Sequence, residues 1–183
     1  MPRAASPATP LTDLAARRAW RGPSLAGGVL TPEVAAFCQS GVSVVLGSTG
    51  RDGRPIAGRG RSCRINDDGG VRIVLRRTGQ EELLAAVAAG AGLAATFTSP
   101  PTHRSIQLKA PQAAIRPLGA GDLAATHAQS AAFAESLVDV GYARPFAALY
   151  CGFEPSDLVA VAFEPEAAFV QTPGPSAGSA LTP

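Results

Sequence analysis

Arginine residues are concentrated in two neighbouring segments whose composition is typical of β-strands. The residues are Arg59, Arg61 and Arg64, which surround Ser62 in the first segment, and Arg72, Arg76 and Arg77, in and just after the second. If the two segments pair as a hairpin, several guanidinium groups come together, which is unfavourable unless an anion lies between them. The cluster therefore predicts a binding site for a phosphate or another anion. A solvated sheet face in an arginine-rich chain is the simpler alternative.

A helix start follows the second arginine segment directly. Thr78 and Glu81 form the T-x-x-E pattern of a capping box, which predicts a helix from Gly79 to Ala89. The first backbone N–H groups of a helix have no partner within it, so those of Gly79 and Gln80, with the Thr78 hydroxyl, would provide further donors for a phosphate.

The stretch HRSIQLKA, residues 103 to 110, carries the only lysine of the chain, Lys109. Side chains alternate between the two faces of a strand, so Gln107 and Lys109 share the polar face with His103 and Ser105. The other face is apolar and is expected to pack into the core. The polar face presents two hydrogen-bonding side chains and a cation, which suits the polar edge of a flat heterocycle, although an ordinary half-exposed strand has the same pattern.

The histidines and cysteines show no recognisable metal-binding or catalytic spacing. His103 and His127 lie 24 positions apart, and the three cysteines are widely separated, with no C-x-x-C pair. We expect His127 on the apolar face of a helix, His103 exposed and the cysteines buried. No catalytic residue and no metal ligand is predicted, and the unpaired thiols favour a reducing cytoplasm.

The composition is that of an ordinary globular protein. Apolar residues make up 46% of the 183 residues, and no apolar run approaches the roughly 18 to 20 residues that span a bilayer. A formal net charge of +2 does not by itself indicate nucleic acid, and the arginines are not interleaved with aromatic residues as in single-strand binding surfaces. We therefore expect neither a membrane nor a nucleic acid as partner.

The order of strand and helix patterns predicts a mostly β fold with packed helices. A short helix capped by Thr31 opens the domain, and a meander of three strands follows, joined by tight turns. Further strands are expected at 93–98, 104–115, 146–153 and 158–164, with a long helix at 121–140 whose apolar face includes Leu123, His127 and Leu137. The expected divisions are a flexible N-terminal arm over 1–30, one domain over 31–170 and a flexible C-terminal tail over 171–183.

These motifs together resemble a known family. The R-G-R-S-C-R strand, V-L-R-R-T before a helix, and T-F-T-S-P-P-T-H-R-S-I-Q-L-K-A are similar to the pyridoxamine 5′-phosphate oxidase-like flavoproteins. The resemblance covers about residues 31 to 171 and implies a homodimeric, six- to seven-stranded antiparallel split β-barrel that binds FMN at the subunit interface and acts on a small-molecule substrate. The cofactor-binding residues it implies are Arg61, Ser62, Arg64, Val74, Leu75, Arg76, Arg77, Thr78, Gln107 and Lys109.

The chain departs from the family pattern at the helix start. Glu81 and Glu82 stand near the place of a basic pair, and carboxylates repel a phosphate dianion. Two kinds of function therefore remain open. The first is an FMN-dependent oxidoreductase, in which Arg76, Arg77 and the helix N-terminus hold the phosphate. The second is a non-catalytic binding protein for heme or another anionic ligand; a deazaflavin in place of FMN is a further variant.

Overall fold

A computed structural model describes residues 10–22 and 24–181. They form one antiparallel sheet of eight strands with packed helices. The strands are β1 (Ser43–Thr49), β2 (Pro55–Ile65), β3 (Val71–Arg76), β4 (Leu93–Thr98), β5 (Ser105–Ala110), β6 (Ala114–Arg116), β7 (Leu158–Phe163) and β8 (Ala167–Val170). The helices are α1 (Pro10–Ala19), α2 (Pro32–Cys38), α3 (Glu81–Ala88), α4 (Asp122–Asp139) and α5 (Arg144–Cys151).

The strand order in the sheet is β6-β7-β3-β2-β1-β4-β5-β8, and all pairs are antiparallel. The predicted meander of β1, β2 and β3 is confirmed. The terminal strands β6 and β8 do not pair with each other, so the sheet is not closed. Eight strands are present where six or seven were expected.

One core fills the inner side of the sheet. Alternate residues of the strands point inward, among them Leu46, Ile73, Phe97, Leu108 and Val161, and all five are fully buried. Leu83 and Val87 of α3 belong to the same core, so α3 packs against the inner side. This alternation leaves the opposite residues of the same strands on an outer face.

The described parts of the two terminal segments, which the sequence predicted to be a flexible arm and a flexible tail, contact the sheet. Asp13 of α1 is buried and pairs with Arg104, while Leu181 is buried in the core and its N–H donates to the Ala168 carbonyl. Arg17 joins the two segments because its Nε donates to the carbonyl of Leu181. Residues 1–9, 23 and 182–183 lie outside the described part of the chain.

Two strand predictions are wrong. Residues 146–153, expected as a strand, belong mostly to α5. Pro145 favours a helix start, because the N–H that proline lacks would have no partner in the first turn. Ala147 and Cys151, one helical turn apart, are both buried. The expected strand 104–115 is divided at Pro111, which cannot donate to a neighbouring strand; the chain leaves β5 there and pairs again with β7 as β6.

The predicted apolar face of α4 is only partly correct: Leu137 is buried as expected, but Leu123 and His127 are exposed. Its buried residues are Asp122, Thr126, Ser130, Phe133 and Leu137, which are mostly polar. His127, expected on the buried face, is exposed and its ring contacts that of Phe153 at 5.0 Å between centroids. The polar face is buried because it provides hydrogen bonds to β2. Among the described residues, no helix is long and apolar enough to cross a membrane.

Candidate functional site

Two arginines of β2 lie on the same outer face, next to a β-bulge. Gly60 opposes Leu75 and Ser62 opposes Val74, so Arg61 is the extra residue of the bulge. Gly60 faces inward, because a Cβ there would contact Ile73 and Val44, and Cys63 is in the core. Arg59 and Arg61, on either side of Gly60, therefore share the outer face, as alternation predicts, and the bulge adds Ser62 to the same face.

The guanidinium groups of Arg59, Arg61 and Arg76 line a cavity of about 360 Å³ together with Thr78; we call it the arginine pocket. Arg76 pairs with Asp157, with 2.9 Å between Nε and Oδ2. Within the described residues, Arg59 and Arg61 pair with no carboxylate. Partial burial, with the charges of Arg59 and Arg76, lowers the pKa of Arg61. This repulsion favours the binding of an anion.

Helix α5 ends at the arginine pocket. The Tyr150 carbonyl accepts hydrogen bonds from Arg61 Nη1 at 2.8 Å and from Arg59 Nη1 at 3.2 Å. The Arg59 guanidinium also lies over the Tyr150 ring, 3.5 Å from its centroid. The last carbonyls of a helix have no partner within it, and the Tyr150 carbonyl is one of these. It carries no formal charge. An ionised oxygen would therefore make stronger hydrogen bonds to the same two arginines.

Gln80 fixes the backbone at the pocket. Its Oε1 accepts the N–H of Arg59 at 2.6 Å, and its Nε2 donates to the carbonyls of Arg59 and Arg76 at 3.1 and 3.0 Å. The side chain thus joins β2 to the end of β3 next to the bulge, where the strands no longer pair directly. The sequence predicted only that the backbone N–H of Gln80 is a donor at the start of a helix.

The predicted donors at the start of α3 are already in use. Thr78 does not cap the helix; its N–H and hydroxyl both donate to Asp157 Oδ1, at 3.0 and 2.8 Å. The Gly79 N–H donates to Glu81 Oε1 at 3.0 Å, and the Gln80 N–H donates to the Arg77 carbonyl at 3.1 Å. The prediction of free N–H groups there is therefore wrong, because the Glu81 carboxylate and the Arg77 carbonyl already accept them.

A row of paired residues crosses the outer face from Arg59 to Gln107. Arg59 opposes Val45, Val45 opposes Thr96, and Thr96 opposes Gln107, so all four side chains are on one face. The adjacent row runs through Gly47 and Ala94 to Lys109. We call Val45, Gly47, Ala94 and Thr96 the outer floor. Three interstrand steps separate β2 from β5, a span of about 14 Å.

The outer floor is small, apolar and accessible. Val45 is 48% exposed, and Gly47, Ala94 and Thr96 are half-buried. At its far end Gln107 Nε2 donates to Thr96 Oγ1 at 2.9 Å, and the Lys109 ammonium lies 4.8 Å from the centroid of the Phe169 ring. Lys109 is exposed and has no carboxylate partner among the described residues. A flat ligand with an anionic group at one end and polar ring atoms at the other fits this surface.

Several residues that the sequence placed in the site lie elsewhere. Ser62 is buried under α4 and hydrogen-bonds Thr126 at 2.8 Å, and Val74 is buried on the same side. Leu75 is in the inner core, and the Arg77 side chain is exposed while its N–H donates to the Asp157 carbonyl at 2.7 Å. The structure thus groups Arg61, Arg76 and Thr78, and places Gln107 and Lys109 across the floor.

Arg64 belongs to a separate ion-pair network. Its Nη1 lies 3.0 Å from Oδ1 of Asp122, and Arg72 Nη2 lies 2.6 Å from Oδ2. Burial alone would raise the pKa of Asp122, but hydrogen bonds from Arg72, the Gly119 N–H and Arg64 outweigh it and lower the pKa. The carboxylate is fully buried and already satisfied, so Arg64 and Arg72 fix α4 on the sheet rather than serve a ligand.

The remaining candidates do not form a site. His103 is exposed, as expected, and neither histidine lines the arginine pocket. All three cysteines are free and buried, also as expected, and burial raises the pKa of the Cys38 and Cys63 thiols. Within residues 10–22 and 24–181, no three His, Cys, Asp or Glu side chains come together in a group that could hold a metal ion.

No family model and no curated protein sequence matches the chain. Solved structures with a similar fold include a provisionally assigned pyridoxamine 5′-phosphate oxidase from Lactobacillus delbrueckii, 18% identical with a TM-score of 0.49, over 78% of this chain and 94% of that one. HupZ of Group A Streptococcus is 17% identical with a TM-score of 0.49, over 82% and 100% of the two chains. The heme storage protein HutZ of Vibrio cholerae is 14% identical with a TM-score of 0.44, over 78% and 94%.

The first of these structures carries the name of the enzyme whose family the sequence resembles. The likeness is one of fold. What the neighbours bind differs, so the ligand of this chain has to be argued from its own residues.

Proposed function

We propose that the protein is an FMN-dependent oxidoreductase whose cofactor lies on the outer floor. The observation that carries the proposal is the continuous outer row from Arg59 to Gln107, with Arg59 and Arg61 at one end and Gln107, beside Lys109 of the adjacent row, at the other. FMN has the same sequence of groups: a phosphate, a flexible polar chain and a flat ring with a polar edge. FMN would supply the hydride and electron transfer.

Each end of the row has a distinct task in this proposal. The arginine pocket binds the phosphate, while the backbone and small side chains of the outer floor cover one face of the ring. Gln107 provides a hydrogen-bonding amide at the ring edge. Lys109 provides a positive charge, which stabilises negative charge on the reduced ring and raises its reduction potential. The substrate is a small molecule that reaches the open face.

We further propose that a second copy of the chain covers this face. The rings of Tyr142, Phe146 and Tyr150 stack at 5.2 and 5.7 Å between centroids, and Leu149 is 83% exposed. Val45, next to Arg59 in the outer row, extends this apolar patch toward the floor. Exposed apolar patches of this kind mark interfaces. In this proposal the eight-stranded sheet forms the split barrel of a homodimer, and the cofactor lies at the subunit interface.

The buried thiols fit a reducing compartment, and we place the protein in the cytoplasm.

Titration of the purified protein with FMN tests the function. The expected result is quenched flavin fluorescence that saturates at one FMN per chain, with a dimer in light scattering; a non-binding chain, or a monomer that binds FMN fully, contradicts the corresponding proposal.

The second candidate is a heme-binding protein without turnover. It is favoured only by the exposed His127 beside Phe153. A Soret band on addition of hemin that is lost in His127→Ala, together with no flavin binding, would support this function over the first.

A further inference from the structure

Asp157 holds three consecutive residues at the edge of the arginine pocket. Its Oδ1 accepts from the N–H and hydroxyl of Thr78, and its Oδ2 accepts from Arg76 Nε. Its backbone carbonyl accepts the Arg77 N–H at 2.7 Å. A backbone N–H, a hydroxyl and a guanidinium converging on one ionised group are the donors that bind a phosphate in proteins. The Asp157 carboxylate thus occupies an anion position.

The Asp157 carboxylate is ionised at neutral pH. Hydrogen bonds from Arg76 and from Thr78 lower the pKa of Asp157 to about 2. Arg76 is therefore neutralised by its carboxylate partner, whereas Arg59 and Arg61 pair with no carboxylate among the described residues and both donate to the neutral Tyr150 carbonyl. The three guanidinium groups and one carboxylate leave the pocket a net charge of +2. This charge complements a phosphate monoester, which carries about −1.5 to −2 at neutral pH.

We propose that Asp157 is a specificity-determining residue that removes Arg76 and the Thr78 turn from anion binding. The phosphate is then bound by Arg59 and Arg61, in place of the Tyr150 carbonyl. This inference rests on the proposed binding of FMN and corrects its expected ligands, because the sequence assigned the phosphate to Arg76, Arg77 and the start of α3. It adds Arg59 to the site and makes Asp157 a positioning residue without contact to the cofactor ring.

The test compares FMN with riboflavin, which lacks the phosphate. Their affinity ratio is measured by fluorescence titration for the wild type, Arg59→Ala, Arg76→Ala and Asp157→Asn. Arg59→Ala should reduce the preference for FMN about tenfold, as expected for a lost hydrogen bond to a charged group. Arg76→Ala alone leaves Asp157 without its counter-ion and should reduce the preference about fivefold, whereas the double variant Arg76→Ala/Asp157→Asn, which removes the ion pair without changing the net charge, should change it less than twofold. Arg54→Ala is the matched control, since it removes an exposed arginine at the start of β2, about 17 Å along the strand from Arg59.

Asp157→Asn tests whether Asp157 acts through its charge on Arg76 or only through the hydrogen bonds that hold the Thr78 turn. The asparagine oxygen still accepts from Thr78, but its amide cannot accept from Arg76, which is released with its charge. The preference for FMN should therefore rise about fivefold, the effect of one unit charge at about 4 Å in water. In this background Arg76→Ala should lose the gain. Equal losses in Arg59→Ala and in the double variant Arg76→Ala/Asp157→Asn, or no gain in a folded Asp157→Asn, overturn the inference.

Failure of the inference can be told apart from failure of the proposed function. A wild type that binds neither flavin rejects the function. The same variants are then titrated with inorganic phosphate and followed by ³¹P line broadening. Broadening lost in Arg59→Ala and kept in the double variant Arg76→Ala/Asp157→Asn supports the inference, and the reverse pattern or no broadening contradicts it.

Discussion

Gly47→Leu should weaken flavin binding about 70-fold without weakening the fold. Gly47 faces the outer floor, and a Cβ added there meets nothing closer than the Ala94 carbonyl oxygen, at 4.0 Å. Its φ is not positive, so a larger residue is not strained. Because leucine suits a strand better than glycine, we expect the free energy of unfolding to stay equal or rise by about 0.5 kcal/mol.

The loss of binding follows from the area that the leucine would occupy. One face of a fused aromatic ring system buries on the order of 100 Å². At about 25 cal/mol per Å², losing that contact costs about 2.5 kcal/mol, or about 70-fold in Kd. The assay is FMN fluorescence titration beside urea denaturation, with Ala124→Leu on the exposed side of α4 as control. A stable Gly47→Leu protein that binds FMN like the wild type refutes the assignment of the outer floor.

Three further predictions concern the elements around the site. Asp122→Ala should lower the free energy of unfolding by about 2 kcal/mol in urea denaturation, since Arg64 and Arg72 lose a buried partner but remain partly solvated; an effect no larger than that of Glu135→Ala, which breaks an exposed pair, would contradict this. Asp157 stabilises the fold fully above its ordinary carboxyl pKa of 3.8, and this contribution is lost as the pH falls to about 2. Asp157→Asn should therefore be less stable than the wild type at pH 7 and approach it near pH 2, and parallel acid-unfolding curves would speak against the ion pair. Lys109→Ala should lower the reduction potential of bound FMN while Lys109→Arg retains it, and equal potentials in spectroelectrochemistry would remove the role of the charge.

The parts of the site that follow a simple period were predictable from the sequence. Alternation alone places Gln107 and Lys109 on one face of β5, and the structure confirms their common face. The tight turns between β1, β2 and β3 likewise predict their pairing, which brings Arg61 near Arg76. These features depend only on neighbours along the chain or across one turn.

Features that depend on distant partners were not predictable. The bulge at Arg61 breaks the alternation of β2 and has no sequence signature of its own. Asp157 comes 79 residues after Thr78, and only the folded chain shows that it fills the anion position there. The alternation of arginines around Gly60 was the one sequence feature that pointed to Arg59 as a site residue. Helix α5, whose Tyr150 carbonyl accepts from the arginine pocket, was not predicted because its run of apolar residues resembles a strand.

The buried polar face of α4 shows why amphipathic patterns failed there. Gln129 Oε1 accepts the Cys63 N–H at 2.9 Å, and its Nε2 donates to the Cys63 carbonyl at 2.7 Å. Gln39 Oε1 accepts the Ile65 N–H at 3.0 Å in the same way. Amide side chains thus continue the sheet beyond Gly60, where β1 no longer pairs with β2. A helix that replaces a strand needs polar residues on its buried face, which hydrophobic periodicity assigns to solvent.

The central claim is that a flavin phosphate binds at Arg59 and Arg61 with its ring across the outer floor toward Lys109. The most direct measurement is the visible spectrum of the protein after incubation with FMN and removal of free flavin by gel filtration, for the wild type and Arg59→Ala. The account predicts one flavin per wild-type chain and a much smaller fraction in the variant. A colourless wild-type protein, or equal flavin in both, would contradict it.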